Sequence, residues 1–310
     1  MIDVRAEAMH CVYVISSSRE DYFAEMTAVS IKSLRLSNPN CKITIVIDIL
    51  SGNSIGLQFA KNLSDHVIEI SSRHSEQIYR SRDLKVRLRE IVDGPFIYLD
   101  SDTLVVDKIG GLFFRGYDIA AGRDYPVNRR MISPAKAIYG ETATMGWSLG
   151  VLPYLNSGVF FMDDTEQAYK FSERLASNWQ DFCNKLGKPN DQPAFNQAIF
   201  DRFHSDPSFK LHIFDHSFNA QVSMDPLLGR NAHIFHIFSG SFHSRQDTVL
   251  HVETHRLKGE GYIDETAIRR AIDNGHPWMQ LDSPRKVMAH RGYIIGGCKY
   301  LISRLFHREI

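Results

Sequence analysis

Residues 96–106 constrain the fold of this chain more than any other stretch. Four strand-forming residues, Phe-Ile-Tyr-Leu, end at Asp100-Ser101-Asp102, and a second β-branched run follows directly. The pattern predicts a buried strand that carries two carboxylates to the edge of a sheet. Ligands bind at the carboxyl ends of the strands in an open α/β sheet, and paired acids favour a cation, so a metal-bound diphosphate would fit here. The alternative is a solvated acidic turn without a function.

Strand and helix patterns alternate along the first half of the chain. Short apolar runs at residues 12–15, 43–47 and 67–70 predict strands, and helical patterns lie between them. Asp21 is the predicted cap of the first helix. The predicted apolar face of this helix comprises Phe23, Thr27, Ile31 and Leu34. The alternation predicts an α/β protein with a largely parallel sheet covered by helices.

The composition restricts the class of protein. The 310 residues are 43% hydrophobic, which is enough for a large core, and 36 basic residues balance 36 acidic ones. A zero net charge gives no reason to expect a nucleic-acid partner. The four cysteines lie far apart without a Cys-x-x-Cys pair, which is typical of the reduced cytoplasm. The acidic N-terminus and the lack of a long apolar run argue against export and against membrane spanning.

A basic cluster precedes the acidic stretch. Between residues 73 and 89, six bases accompany only two acids, Glu76 and Asp83. The bases are Arg73, Arg80, Arg82, Lys85, Arg87 and Arg89. We expect most of them to form a solvated helix face, because the apolar residues of the segment occupy another face. One or two bases close to the carboxylates could hold phosphate oxygens.

Residues 125–154 contain several prolines and glycines and no clear periodicity, which is typical of a lid or an acceptor-binding loop. A predicted strand at residues 155–162 follows, interrupted by Asn156-Ser157-Gly158. The glycine would allow the close approach of a ligand or of another backbone. Asp164 and Gln167 form the predicted capping box of a long helix.

Two later polar sites have open roles. Asp191 and Gln192 stand at the start of a predicted helix, where the acid either caps the helix or contacts a substrate. His236 belongs to a run that alternates imidazoles with strand formers. It is either a hydrogen-bonded packing residue or a metal ligand.

The C-terminal segment, residues 285–310, carries six bases and one acid, a net charge of about +5 with neutral histidines. Aromatic and aliphatic residues are interleaved with these bases. The pattern fits a short helix that lies on an anionic membrane face, and it fits equally a helix docked on the domain.

The motifs between about residues 12 and 240 together resemble the family-eight glycosyltransferases, retaining enzymes that include glycogenin and the bacterial lipopolysaccharide galactosyl- and glucosyltransferases. Tyr98-Leu99-Asp100-Ser101-Asp102 matches the Asp-x-Asp motif of that family. Leu155-Asn156-Ser157-Gly158-Val159 matches its Asn-Ser-Gly stretch, and Asn190-Asp191-Gln192 matches its Asp-Gln turn. His236 and Gly240 match the late histidine and glycine.

The resemblance implies a GT-A fold in residues 1–250, with one Rossmann-like, mostly parallel mixed sheet and flanking helices, followed by a helical extension in residues 251–310. It implies that Asp100, Asp102 and His236 bind Mn²⁺ or Mg²⁺ together with diphosphate oxygens and water. The implied donor-binding residues are Ser16, Ser17, Tyr22, Lys85, Ser101, Asp124, Asn156, Ser157 and Gly240. The implied catalytic residues are Asp191, Gln192 and Lys85.

The chain departs from the family pattern after His236. The spacing from His236 to Gly240 is one residue longer than expected from glycogenin, and Ser241-Phe242-His243-Ser244-Arg245 replaces the usual Lys-Pro-Trp. His243 or Arg245 is therefore the candidate for the diphosphate contacts of this segment. The tyrosine that glycogenin glucosylates on itself has no assured equivalent, so self-glucosylation is not implied.

The resemblance further implies transfer of a hexose from a nucleotide-diphosphate sugar, UDP-glucose or UDP-galactose, to a glycan or lipid-linked glycan acceptor. The configuration would be retained, and the enzyme would act in the cytoplasm or at the inner face of the membrane. Asp191 is the candidate nucleophile if retention proceeds by two displacements. The alternatives are a haloacid-dehalogenase-like phosphohydrolase, which also begins with a strand and two aspartates, and a catalytically silent sugar-nucleotide-binding protein.

Overall fold

The computed structural model describes residues 9–110, 116–124, 140–147, 153–221, 231–237 and 248–279. The strands are β1 (His10–Ile15), β2 (Lys42–Asp48), β3 (His66–Ile70), β4 (Phe96–Leu99), β5 (Thr103–Val105), β6 (Ile119–Arg123), β7 (Leu155–Met162), β8 (Leu211–Phe214), β9 (Ala220–Gln221) and β10 (Ile234–His236). The helices are α1 (Phe23–Ser37), α2 (Ile55–Leu63), α3 (Gln77–Val86), α4 (Leu88–Ile91), α5 (Glu166–Leu186), α6 (Gln192–Ser205), α7 (Val249–Glu260) and α8 (Glu265–Asn274). A 3₁₀-helix, His216–Asn219, connects β8 to β9.

The strands form two sheets within these ranges. The larger sheet has the order β3-β2-β1-β4-β7-β6-β8, and the smaller has the order β5-β10-β9. In the larger sheet, β3, β2, β1 and β4 are parallel neighbours, and β8 is parallel to β6. Strand β7 runs antiparallel to both β4 and β6. The prediction of an α/β fold with a mixed, mostly parallel central sheet is confirmed.

The centre of the larger sheet is buried along its whole length in β1, β4 and β7. Continuous apolar runs suit strands that are covered on both faces. The rings of Tyr98 and Phe160 stack between β4 and β7 with their centroids 4.9 Å apart. Each large side chain that is fully buried here contributes about 2–3 kcal/mol relative to an exposed one. The end of β4, where Asp100 follows, therefore has a rigid support.

The smaller sheet continues from β4 through a three-residue turn. Strand β5 begins at Thr103 and pairs antiparallel with β10, where His236 is the partner of Thr103. The register therefore places the Asp-Ser-Asp turn beside the end of β10.

Helices α7 and α8 cover α1 on the side away from the larger sheet. Leu250 and Ile268 pack with Met26 and Val29 of α1 in a second buried cluster. Lys258 of α7 donates hydrogen bonds to the backbone carbonyls of two residues, Arg19 and Asp21, in the loop before α1. The C-terminal helices thus support the loop that follows β1.

The cap of α1 differs from the prediction. Tyr22, and not Asp21, occupies the N-cap position, while the Asp21 carboxylate accepts the backbone N–H of Phe23. Phe23 is 45% exposed, although the predicted apolar face included it, because it lines a cavity. The predicted residues Thr27, Ile31 and Leu34 are fully buried.

The predicted capping box of Asp164 and Gln167 is wrong. Thr165 is the N-cap of α5, and its hydroxyl accepts the N–H of Ala168 at 3.1 Å. The same hydroxyl donates to Asp118 Oδ1 at 2.6 Å, a contact that comes from the start of β6. The tertiary partner therefore selects which of two adjacent polar residues caps the helix.

The expectation of a solvated basic face is wrong for all of the six bases except Arg73. Arg80 forms a salt bridge with the buried Asp48 at the end of β2. The guanidinium of Arg89 is fully buried and donates to backbone carbonyls, including that of Gly94 at 2.8 Å. The bases are covered because α3 and α4 pack between the larger sheet and α5, and both carboxylates and carbonyls meet them there.

None of the described helices has the length and apolar composition needed to cross a bilayer. The basic tail, residues 285–310, lies outside the described residues. Of the candidate lid, residues 125–154, the structure describes 140–147 and 153–154. The domain boundary after residue 250 stays a prediction.

Candidate functional site

Two aspartates and a histidine meet where the two sheets join. Asp100 and Asp102 lie in the turn between β4 and β5, and His236 ends β10; these three residues form the Asp-His cluster. One ligand atom of each residue lies within 4.8 Å of those of the other two. His236 Nε2 lies 3.1 Å from Asp102 Oδ1 and 3.9 Å from Asp100 Oδ2. Adjacent ligands of an octahedral ion with bonds of about 2.1 Å lie roughly 3.0 Å apart, so the donor set fits a divalent ion.

Gly158 of β7 makes room for the Asp-His cluster. A Cβ atom there would lie 2.8 Å from Asp100 Oδ2 and 2.9 Å from His236 Nε2, inside the ordinary contact distance of 3.4 Å. The sequence predicts the close approach of a ligand or of another backbone at this glycine; the atoms that approach it in the structure belong to side chains. The predicted interruption of the strand is wrong, since β7 runs unbroken from Leu155 to Met162. Polar residues fit into this strand because their buried side chains find hydrogen-bond partners.

Two cations lie on the other side of Asp100. Lys85 Nζ is 3.3 Å from Asp100 Oδ1 and 2.9 Å from Asp191 Oδ2, and the lysine side chain is only 4% exposed. Arg82 Nε lies 3.1 Å from Asp191 Oδ1. Burial by itself would raise the pKa of Asp191, but the charges of Lys85 and Arg82 outweigh it and hold this pKa well below its ordinary value. Asp191 is therefore ionised, and its carboxylate binds these cations and makes no cap bond to α6.

A buried polar network begins at Asp124, the residue after β6. Gln192 Nε2 donates to Asp124 Oδ2 at 3.0 Å, and Asn156 Nδ2 donates to Gln192 Oε1 at 3.1 Å. Ser157 Oγ donates to Asp191 Oδ2 at 2.9 Å. Burial raises the pKa of Asp124 to about 6, although the hydrogen bonds from Asn156 and Gln192 favour the ionised form. Five predicted site residues thus lie in one network beside Lys85.

A cavity of about 710 Å³ opens in front of the Asp-His cluster. Its wall includes Ser16, Phe23, Arg82, Ser101 and both aspartates. Ligand pockets of proteins range from roughly 300 to 1,000 Å³, so a molecule of the size of a nucleotide sugar fits. The exposed ring of Phe23 offers an apolar surface to a base or ribose, while the aspartates and Arg82 form the polar end.

Residues 91–237 match the family model of the nucleotide-diphospho-sugar transferases. The matched segment begins before β4 and ends directly after β10, so it contains the whole Asp-His cluster. This match covers 147 of the 310 residues, so over this segment the chain is similar to the nucleotide-diphospho-sugar transferases, and its fold is the GT-A fold of glycosyltransferases. No curated protein matches this chain in sequence.

Solved structures of glycosyltransferases share this fold. The galactosyltransferase LgtC, in complex with donor and acceptor sugar analogues, is 18% identical with a TM-score of 0.54, and the match covers 83% of this chain and 98% of that one. The bifunctional glycosyltransferase WbbM in its apo form is 13% identical with a TM-score of 0.54, over 78% of this chain and 47% of that one. The glycosyltransferase GlyE of Streptococcus pneumoniae is 17% identical with a TM-score of 0.51, over 84% and 62%. At these identities the likeness shows a common fold.

Several predicted donor contacts stay predictions. Ser17 is buried behind the cavity wall, where its hydroxyl donates to Asp21 Oδ1 at 2.6 Å. The ring of Tyr22 packs against α7. Gly240, His243 and Arg245 lie outside the described residues.

Three residues at the candidate site escape the sequence-based prediction. The prediction counts Arg82 among the bases of a solvated face, although Arg82 and Lys85 are three residues apart and therefore lie on one face of α3. Phe23 is assigned to the core because a periodic apolar pattern does not distinguish a core from a cavity wall. Asn219, whose amide oxygen lies 2.9 Å from His236 Nδ1, has no local signal because its partners come from other strands.

Proposed function

We propose that this protein is a metal-dependent, retaining hexosyltransferase with a UDP-sugar, UDP-glucose or UDP-galactose, as its donor. The acceptor in this proposal is a hydroxyl group of a glycan or a lipid-linked glycan. Asp100, Asp102 and His236 would hold the divalent ion, and the imidazole favours Mn²⁺ over Mg²⁺ because magnesium prefers oxygen ligands alone. When bound, the ion would neutralise charge on the leaving diphosphate.

The proposal depends on one observation: the buried ammonium group of Lys85 lies beside the Asp-His cluster, whose two aspartates line the cavity. Lys85 Nζ lies 3.3 Å from Asp100 Oδ1, so the lysine and an ion held by the Asp-His cluster could contact the same diphosphate. A buried charge is less screened than an exposed one, which strengthens its attraction for an anion. Two carboxylates would repel an anion unless a divalent ion lay between them. This arrangement supports a metal-bound diphosphate over a free phosphate as the ligand.

We favour attack of the acceptor hydroxyl from the side of the leaving group. Both oxygens of Asp191 are engaged, Oδ1 with Arg82 and Oδ2 with Lys85 and Ser157. As a nucleophile, Asp191 would have to give up these contacts, and breaking a buried ion pair costs about 3–5 kcal/mol. In the proposed reaction Asp191 instead positions the two cations, and Gln192 orients the carboxylate of Asp124.

The test measures cleavage of a panel of nucleotide sugars, with and without Mn²⁺. Asp102→Asn removes one ligand charge at constant shape, and we expect its rate to be about 100-fold lower. Asp273→Asn makes the same exchange on the exposed face of α8 and should keep the native rate. Metal-dependent cleavage of one UDP-sugar, reduced only in Asp102→Asn, would support the proposal. Donor binding without cleavage would favour a silent sugar-nucleotide-binding protein, and no binding at all would refute the assignment of the site.

The basic tail suggests a further part of the proposal, peripheral contact with an anionic membrane at the cytoplasmic face. In this proposal the catalytic unit comprises residues 1–250, and the net charge of about +5 after residue 284 attracts acidic headgroups. Sedimentation with vesicles of phosphatidylglycerol, compared with vesicles of phosphatidylcholine, tests it. Vesicle binding that survives deletion of residues 285–310 would contradict the membrane contact.

A further inference from the structure

A chain of hydrogen bonds connects His236 with Asp124 through three amide side chains. His236 Nδ1 donates to Asn219 Oδ1 at 2.9 Å, and Asn219 Nδ2 donates to Asn156 Oδ1 at 3.0 Å. Asn156 Nδ2 donates to Gln192 Oε1 at 3.1 Å, and Gln192 Nε2 donates to Asp124 Oδ2 at 3.0 Å. The histidine, both asparagines and the aspartate are at most 4% exposed, so water does not compete for these bonds.

Backbone groups fix the direction of this chain. The N–H of Gly158 donates to Asn156 Oδ1 at 2.9 Å, and the N–H of Ser157 donates to Gln192 Oε1 at 3.3 Å. A backbone N–H can only donate, so it identifies the oxygen end of each amide. Asn156 therefore presents an oxygen to Asn219. The NH₂ group of Asn219 must face that oxygen, and its own oxygen must face His236.

The oxygen of Asn219 selects one tautomer of His236. Because an amide oxygen only accepts, the ring carries its proton on Nδ1. In the neutral ring Nε2 then carries the lone pair, on the side of Asp100 and Asp102 and 3.1 Å from Asp102 Oδ1. A neutral imidazole with this nitrogen unprotonated is the form that binds a divalent ion.

We propose that Asn219 is a positioning residue, which holds His236 in the Nδ1–H tautomer and in one ring orientation for metal binding. The metal-binding part rests on the proposed function, whereas the tautomer does not. Asn219 itself is only 1% exposed and ends the 3₁₀-helix, so its amide is held among its partners. The same amide serves two partners, so its side chain cannot be replaced by a single hydroxyl at the same reach.

The test uses three exchanges in the full chain. Asn219→Leu removes both hydrogen bonds at nearly constant volume, and Asn219→Asp keeps an oxygen that accepts the Nδ1 proton. Asn38→Leu is the matched control, because Asn38 is also a buried amide with two hydrogen bonds. It follows α1, donates to the backbone carbonyl of Asp107 and accepts the N–H of Ile109 in the loop after β5. If Asn219→Leu does not fold, Asn219→Ser takes its place, since the shorter hydroxyl cannot bridge both partners.

Two readouts need no donor. The first is the imidazole ¹⁵N spectrum of metal-free, histidine-labelled protein at about pH 8.5, above the usual pKa range of histidine, with His236→Gln to identify the signals. The second is the affinity for Mn²⁺ alone, from the EPR signal of the free ion. We expect the Nδ1–H tautomer in the native, Asn219→Asp and Asn38→Leu proteins, and a shift towards Nε2–H in Asn219→Leu. The affinity for Mn²⁺ should fall about 10–100-fold in Asn219→Leu and less in Asn219→Asp.

A native protein with the proton on Nε2 would overturn the proposal. So would a folded Asn219→Leu protein that keeps both the Nδ1–H tautomer and the native affinity for Mn²⁺. Failure of the proposed transfer reaction would appear separately, as a native tautomer and native Mn²⁺ binding without donor cleavage. The absence of Mn²⁺ binding in the native protein would remove the metal-binding role, while the spectrum would still decide the tautomer.

Discussion

Replacement of Gly158 by alanine should disable the Asp-His cluster and leave the sheet intact. The added methyl group would lie 2.8 Å from Asp100 Oδ2, 2.9 Å from His236 Nε2 and closer still to the ring carbon Cε1. Ordinary contact begins at 3.4 Å, so each ligand atom must retreat by about half an ångström, and the ring carbon by more. Functional sites tolerate displacements of about 0.5 Å, and a displacement of about 1 Å can cost 100-fold in rate.

We therefore expect Gly158→Ala to lower both donor cleavage and the affinity for Mn²⁺ by about 100-fold. Overpacking should lower the free energy of unfolding by about 1–3 kcal/mol, which thermal unfolding will measure. Gly259→Ala is the matched control, because Gly259 lies in α7 with no atom within 4 Å of an added Cβ. This exchange should leave cleavage unchanged and stabilise the helix by up to about 1 kcal/mol.

The assays for both variants are the rate of donor cleavage at saturating Mn²⁺ and the EPR titration of Mn²⁺. A folded Gly158→Ala protein with native cleavage and native affinity would refute the reasoning. It would mean that Asp100 and His236 do not hold the ion together, or that β7 yields more readily than its fully buried backbone indicates.

Three further predictions concern single side chains. Lys85→Met should lower kcat for donor cleavage by about 100–1,000-fold, because it removes the buried charge beside the diphosphate. Lys85→Arg should retain more activity than Lys85→Met. Equal rates in the Lys85→Met and native proteins would contradict this role. The pKa of Asp124 is raised to about 6, so the folded protein binds more protons than the unfolded chain between about pH 4 and pH 6. Its free energy of unfolding should therefore fall by up to about 3 kcal/mol as the pH rises through this window, and urea unfolding of Asp124→Asn should lack this fall. Thr165→Ala should cost about 1 kcal/mol in urea unfolding, whereas Asp164→Ala should cost less than about 0.5 kcal/mol; the reverse order would restore the predicted capping box.

The grouping of the central residues could be predicted because each lies in a short local pattern. Asp100 and Asp102 follow an apolar run directly, and the rule for the carboxyl ends of strands places them at a ligand-binding edge. Gly158 in a strand indicates a close approach, and the structure places the Asp-His cluster there. The ordered motifs of a family add His236, which local pattern alone leaves undecided between packing and metal binding.

The surroundings of the site could not be predicted because they depend on partners distant in sequence. Arg82 is a base in a charged helical segment, a pattern that predicts a solvated position. It belongs to the site because it contacts Asp191, which lies before α6. Asn219 resembles any polar residue in a loop until β7 and β10 are brought to it. Thr165 caps α5 because the end of β7 brings it to Asp118. Periodicity and propensity describe neighbours along the chain, so they carry no information about these contacts.

The hydrogen bonds of Lys258 bear on the order in which the protein folds during synthesis. Lys258 donates to the carbonyls of Arg19 and Asp21, which precede it by 239 and 237 residues. The strands β1, β2 and β3 leave the ribosome early and can pair with one another, but the loop of residues 16–22 receives this support only after α7 has been made. The cavity wall formed by that loop is therefore among the last parts of the molecule to be completed. A partly synthesised chain without α7 would therefore lack the support of this cavity wall.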